Sequence, residues 1–345
     1  MEITNLLLAL QGRALWADAR RVLAISGLEP AQGWSKTLSK YEGLEVDDEV
    51  AATLADLLQE HVLSAEKSLQ FYRLSNAEHS TLIDALASAR LPRSDAREAF
   101  PAIADLGDYS GINTSPAPLL KIDGEDGVFM VFASVREYEH REPIKVENLA
   151  TDIQSALSDY SDVIGVKKIR HQAYDVLWLP EKGRTVVVAA DAPKAAGVDF
   201  AALGHTAVRA YLRKACGKEV MPINLFGAID KIYRSDLGKV VELGFTTQTA
   251  SVKHERMRLQ RLSLREETFH VGGRDAVSGA IDPFHISVDW SASDGGKIKW
   301  RPELTLHSSV RELHSVDPAL YEAIFRHSLR IRDLRILKSK ILKFA

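Results

Sequence analysis

Three groups of residues in this sequence have types and spacings that chemistry can use. The first is His285-Ile286-Ser287-Val288-Asp289, where strand alternation puts His285, Ser287 and Asp289 on one face and Ile286 and Val288 on the other. A nearby run repeats the pattern. It places Lys299, Arg301, Glu303, Thr305 and His307 on one side and Trp300, Pro302, Leu304 and Leu306 on the other. Histidine and carboxylate within reach of each other are common metal ligands and proton carriers. No third ligand stands at a diagnostic spacing, so the simpler reading is the solvated face of a half-buried hairpin carrying cross-strand charge pairs. The expectation is no metal and no cofactor.

The second group is Asp236-Leu237-Gly238-Lys239-Val240-Val241-Glu242, which resembles the carboxylate-bearing strand of restriction-type metal-dependent nucleases. That chemistry needs Asp and Glu to hold magnesium, and a lysine two positions beyond Glu to orient the attacking water. The lysine position is occupied by Gly244. Lys253 or Lys239 would have to substitute, so Asp236 and Glu242 stand as secondary catalytic candidates. An ordinary central strand is the competing reading. Cys216 follows a helical stretch, whose C-terminal end disfavours a thiolate, and reads as a buried or incidental thiol.

The third group is basic. Residues 1–124 carry 11 Lys and Arg against 18 Asp and Glu, a balance of −7, which leaves residues 125–345 at +4. In the last twenty residues Arg326, Arg330, Arg332, Arg335, Lys338, Lys340 and Lys343 oppose only Asp333. On a helix, Ile324, Leu329, Ile331, Leu334, Leu337 and Ile341 would form an apolar stripe with the cations around it. A second cluster holds Lys253, Arg256, Arg258 and Arg261. The sequence therefore assigns nucleic-acid contacts to Lys253, Arg256, Arg258, Arg261, Arg326, Arg330, Arg335, Lys338 and Lys340, through the phosphate backbone and without base readout. The tail could equally dock on a protein, on a membrane surface, or within the chain against the acidic first part.

Several chemistries lack their usual signature. There is no phosphate-binding G-x-x-x-x-G-K-S/T loop, no dinucleotide G-x-G-x-x-G, no G-x-S-x-G elbow and no H-E-x-x-H. A single cysteine excludes an intramolecular disulfide framework and cysteine-rich metal sites. No run of about 18 apolar residues is present, so no membrane span is expected, and with no secretory signal evident the expected location is cytoplasmic.

The elements that must position these groups follow from periodicity. With 345 residues, 46% hydrophobic and 26% charged, the chain is an ordinary globular one, long enough for two domains. Residues 46–74 repeat apolar side chains at three- and four-residue steps and predict one helix, with others over 3–25 and 77–90. Residues 101–127 are rich in Pro, Gly, Asn and Ser and predict a linker. Strands are predicted over 127–135, 163–169, 174–179, 185–190, 239–246, 283–290 and 297–307, and helices over 150–160 and 199–215. Asp317-Pro318 predicts the cap of a final helix running nearly to Lys343.

The expected fold is α+β. It comprises an acidic helical bundle over 1–100, a linker over 101–127, and a mixed or antiparallel sheet with packed helices over 128–345 that ends in a basic helix. The expected function is a non-catalytic, nucleic-acid-engaging subunit of a larger bacterial-type assembly, such as one in defence or nucleic-acid processing. The acidic helical domain would contact another protein. A divergent metal-dependent nuclease and a scaffold that binds only protein are the alternatives.

Overall fold

The apolar spacing of Leu54, Leu57, Leu58 and Val62 builds a helix, but that helix ends ten residues before the pattern does. In the computed structural model, which describes residues 2–102, 114–197, 199–258, 262–277 and 281–345, helix α4 (Asp48–Ser64) gives way to strand β1 (Lys67–Arg73). The single helix read over 46–74 is therefore corrected to a helix and a strand. Leu69, Phe71 and their neighbours are buried on both faces, and such a run fits a central strand as well as a helix. Ahead of it lie α1 (Ile3–Arg13), α2 (Trp16–Ser26) and α3 (Trp34–Tyr41). Asp47 caps α4 by accepting from the Glu49 amide.

After β1 come α5 (Asn76–Ala87), α6 (Asp95–Ala99), β2 (Ala117–Gly124) and β3 (Gly127–Pro143). Part of the segment read as linker is thus the edge strand β2, while 103–113 lies outside the described residues. Then follow α7 (Thr151–Ala156), β4 (Ile164–Pro180), β5 (Thr185–Asp191), α8 (Asp199–Cys216), α9 (Phe226–Arg234), β6 (Lys239–Thr246) and β7 (Val252–Arg256). The chain closes with α10 (Thr268–Ala276), β8 (Asp282–Asp289), the short β9 (Ala292–Ser293) and β10 (Lys299–Trp300), β11 (Glu303–His307), α11 (Val310–Leu313), β12 (Ala323–Arg326) and α12 (Ile331–Ile341). The long final helix is a second correction. Residues 323–326 pair in the sheet, and the helix starts only at Ile331, where the Asp333 side chain accepts from the Arg330 amide.

The protein is an α+β fold built on a ten-stranded antiparallel sheet in the order β2-β3-β4-β5-β1-β12-β11-β8-β6-β7. β1 lies between β5 and β12, so the first hundred residues contribute a central strand as well as helices. One face of the sheet is apolar along its whole width. Phe71, Trp178, Ile286, Leu304 and Phe325 on that face share a core with Leu6 and Leu10 of α1, Leu58 of α4, Ile229 of α9 and Leu337 of α12. The other face is covered by α5 and α8 only over the β3–β1 half, where Leu82, Val208 and Leu212 meet Phe132, Leu177 and Val188. Over β12, β11, β8, β6 and β7 that second face is left to polar side chains. Among the described residues no helix is long and apolar enough to cross a membrane.

Candidate functional site

Strand register arranges the polar side chains of this second face in three rows. Arg326, Glu303, Asp289 and Lys239 form the first, each opposite the next across β12, β11, β8 and β6. Ser68, Ile324, Thr305, Ser287, Glu242 and Arg256 form the second, from β1 to β7. His307, His285, Gly244 and His254 form the third. Directly opposed residues bring Cβ atoms within about 5 Å, so each row is a chain of touching groups. The sequence pattern of His285, Ser287 and Asp289 facing Glu303, Thr305 and His307 is present as read. The face is not solvated as expected: His285, Ser287 and Asp289 are all at most 5% exposed, because their neighbours in the rows cover them.

These groups are bonded to one another. His285 Nδ1 and His307 Nδ1 lie 2.7 Å apart, so one donates to the other, and Ser287 Oγ lies 2.7 Å from Thr305 Oγ1. Arg301 forks onto the Asp289 carboxylate. Burial, with His307 and His254 nearby, pushes His285 down to about 4, leaving a neutral imidazole at neutral pH. Burial raises the Glu303 carboxyl from its ordinary value.

Arg326 of the first row, Ser68, Ile324 and Thr305 of the second, and His307 and His285 of the third line a cleft of about 580 Å³ together with Ala192, Pro193, Ala196, Gly197 and Ala201. Ser68, His285, Thr305, His307, Glu322 and Arg326 supply its polar groups, and Ala192, Pro193, Ala201, Leu320 and Ile324 its apolar ones. A second hollow of about 400 Å³ shares Glu322 and is lined by Gln70, His205, Arg209 and Arg213. Between the two, His205 Nε2 is 2.8 Å from Ser68 Oγ, which also donates to Glu322 at 3.0 Å. A serine, a histidine and a carboxylate thus meet, but not in triad order. Glu322 holds the serine, and the buried His205 Nδ1 has no hydrogen-bond partner among the described residues.

No family model matches the chain, and comparison with curated proteins and with solved structures finds no significant match.

The secondary catalytic candidates are not gathered into a magnesium site. Asp236 is exposed in the turn before β6, whereas Glu242 sits inside the second row with His254, His285 and Arg256, each 3.7 Å away. Lys253 stands opposite Phe245, so strand alternation turns it to the face away from Glu242. Among the described residues no group of three or more His, Cys, Asp or Glu side chains could hold a metal ion.

Three arginines of the basic tail are held by the chain's own acids. Arg326 bonds Glu66 at 2.5 Å, Arg330 bonds both Glu60 oxygens, and Arg335 bonds Asp126 at 2.8 Å. Lys338 lies over the Trp178 ring and burial lowers it, while Lys340 is half-buried on α12. Arg326 and Arg330 precede the helix on which they were placed. At the other cluster Lys253, Arg256 and Arg258 are exposed at the sheet edge, and Arg261 lies outside the described residues. Cys216 is buried at the end of α8, as read, and burial raises its thiol.

Sequence reasoning missed a second polar cluster altogether. Lys67, Asp191, Asp175, Arg136 and Arg13 are buried between α1, α8 and strands β1, β3, β4 and β5. The available signal was a charged residue inside an otherwise apolar strand run, as in Tyr174-Asp175-Val176. His254 was missed as a site residue because its cationic neighbours dominated the reading of that segment.

Proposed function

We propose that this chain is a non-catalytic, nucleic-acid-engaging subunit of a larger assembly, with the phosphate contacts at the β7 edge of the sheet. The observation that carries the reading is the set of exposed cations there, Lys253 on one face of the edge strand and Arg256 on the other. Lys253 and Arg258 have no ion pair or hydrogen bond among the described residues, and Arg256 has only a 3.7 Å contact to Glu242. Cations left unpaired at an edge are available to phosphates, whereas Arg326, Arg330 and Arg335 of the tail are already neutralised by Glu66, Glu60 and Asp126. The test is binding of labelled single- and double-stranded DNA and RNA across a salt series. The triple variant Lys253→Gln, Arg256→Gln, Arg258→Gln is expected to weaken all sequences alike and to flatten the log–log salt slope by about one unit per lost contact. Absence of binding at low salt, or an unchanged slope, overturns it.

A specific observation also favours a protein partner. Beyond Ser134 and Ala173, β3 and β4 pair only with each other, and past Tyr138, which packs on Phe200, residues from Glu139 and Lys168 outward form a two-stranded arm about 16 Å long. Isolated ribbons of two strands are marginal in water, yet this one exposes Tyr160, Ile164 and Val166, each more than half accessible. Residues 137–170 carry seven carboxylates against five Lys and Arg, a net −2 that suits a protein surface better than a phosphate backbone. Ile164→Glu with Val166→Glu is expected to leave the fold and nucleic-acid binding intact and to abolish co-purification of a partner in stoichiometric amount.

A further inference from the structure

We propose that the cleft over β1, β12 and β11 binds a small organic ammonium ion, an amine on a slim apolar body, with Glu322 as its counter-charge. The proposal is independent of nucleic-acid binding, because no lining residue belongs to β6 or β7. It starts from charge. Among the described residues that line the cleft, only Glu322 and Arg326 are formally charged. Arg326 is already neutralised by Glu66 and also donates to the Ala192 carbonyl. Glu322 has no cationic partner among the described residues. Its one ion-pair contact is to His205 Nε2 at 3.9 Å, and burial holds that imidazole down to about 4, neutral at neutral pH. The cleft therefore carries one uncompensated negative charge.

The carboxylate is held in place for a ligand. Ser68 has a single hydroxyl proton, which goes to Glu322 Oε2 at 3.0 Å, because an ionised carboxylate only accepts. His205 Nε2 is then the donor to Ser68 Oγ, at 2.8 Å, and fixes the serine from behind. Gln70 Nε2 donates to Glu322 Oε1 at 3.2 Å, and the Tyr72 hydroxyl donates to Gln70 in turn. Each carboxylate oxygen accepts about two hydrogen bonds, so one position on each is left for a ligand. An ammonium group brings both the positive charge and the N–H donors that those positions take. A lone surface carboxylate needs only water; this one lines a formed cleft with apolar contact area beside it.

The rest of the wall defines the body of the ligand. Ala192, Pro193, Ala196, Ala201, Leu320 and Ile324 give a lining of small and branched apolar side chains. A volume of about 580 Å³ falls within the roughly 300–1,000 Å³ of small-molecule sites. Tyr321 adds an aromatic ring, a surface that attracts ammonium groups. Ser68, Ile324 and Thr305 stand opposite one another across β1, β12 and β11. Two strand spacings, about 10 Å, separate Ser68 from Thr305. An amine at Glu322 has that length of floor before its far end meets the Thr305 hydroxyl.

The experiment titrates the full chain at neutral pH with hexylammonium and 2-phenylethylammonium chlorides, read by calorimetry. Hexanoate and 3-phenylpropanoate, bodies of like shape and opposite charge, are the controls. One amine per chain is expected, saturable in the millimolar range, with no saturable binding of the carboxylates. Glu322→Gln keeps the shape, removes the charge and is expected to weaken amine binding about tenfold. Ala196→Trp, in the half-buried turn between β5 and α8, fills the cleft and is expected to abolish binding. Circular dichroism checks both folds, and where Ala196→Trp does not fold, Glu322→Gln alone decides. No saturable binding of either amine, equal binding of the carboxylates, or amine binding that either folded variant leaves unchanged overturns the site.

Discussion

Arg330 and Glu60 are joined by two hydrogen bonds, at 3.1 and 3.0 Å, and the same carboxylate accepts from the Ile331 amide at the first turn of α12. A cation that reads from sequence as a phosphate contact is therefore a tether between the last helix and α4. Glu60→Gln, which keeps shape but not charge, is expected to lower the unfolding free energy by about 1–2 kcal/mol in urea titration. Arg330→Gln should destabilise the fold and leave any nucleic-acid salt slope unchanged. A folded Arg330→Gln chain with a flattened slope would return the tail to the interface.

Acid should unfold this protein through its buried imidazoles. Burial holds His61, His205 and His285 at about 4, below their ordinary value of 6.5. The unfolded chain then binds more protons in this window, so their contribution to stability is complete above about pH 6.5 and is lost as pH falls towards 4. Each contributes a slope of about 1.4 kcal/mol per pH unit there. His61→Gln should remove one such increment, measured as a shallower dependence of unfolding free energy on pH. An identical slope in the variant would place His61 in contact with water.

Asp191 holds two buried cations at once. Arg13 forks onto it and Lys67 bonds it, while both cations sit out of water. Asp191→Ala leaves Lys67 and Arg13 without their shared counter-charge, at an expected cost of about 3–5 kcal/mol by chemical denaturation. A loss under about 1 kcal/mol would show that Asp175 takes over the pairing.

Leu58 is fully buried in the core that α4 shares with the sheet. Leu58→Asp should cost several kcal/mol. Because that core also contains residues of β12 and α12, the loss should appear as one transition for the whole chain by calorimetry and by circular dichroism. Two transitions, with only the helical signal of the first hundred residues lost, would restore a separate N-terminal domain.

Trypsin should cut the arm first. Arg141, Lys167 and Lys168 are exposed where β3 and β4 pair only with each other, Lys145 is exposed just beyond β3, and the sequence of 103–113 contains no Lys or Arg. Mass spectrometry of early fragments checks this, and first cleavage at Lys121 in β2 would count against it.

Much of the architecture was legible, for identifiable reasons. Alternation in 283–290 and 303–307 is strict because one face of each strand is apolar core and the other a polar row, and 239–246 keeps it except where the register shifts at Val241 and after Gly244. The errors came where that contrast fails. In 67–73 both faces are buried and polar Lys67, Ser68 and Gln70 stand among the apolar residues, so no alternation marks the strand, and Leu69 and Leu74 could be counted into the helical stripe before them. In 317–343 a cap signal at Asp317-Pro318 and a helical spacing beyond Ile331 were read as continuous across β12, a four-residue strand defined by its partners β1 and β11. The site was half legible. His285 and His307 announce a shared face, but Ser68, His205 and Glu322 meet only because distant segments fold together. The basic tail shows the limit most directly, since charge is visible in a sequence and its intramolecular partner is not.

The placement of β1 beside β12 also sets a timetable for synthesis. Ser68 and its partner Glu322 are 254 residues apart in the chain. At about 5–20 residues per second, roughly 13–50 s pass between their translation. Throughout that interval the edge of β1 that will meet β12 stays unpaired on the ribosome, with Leu69, Phe71 and Tyr72 beside it, the kind of surface that pairs with other nascent chains. Production of this protein should therefore depend on holdase chaperones far more than its ordinary composition suggests.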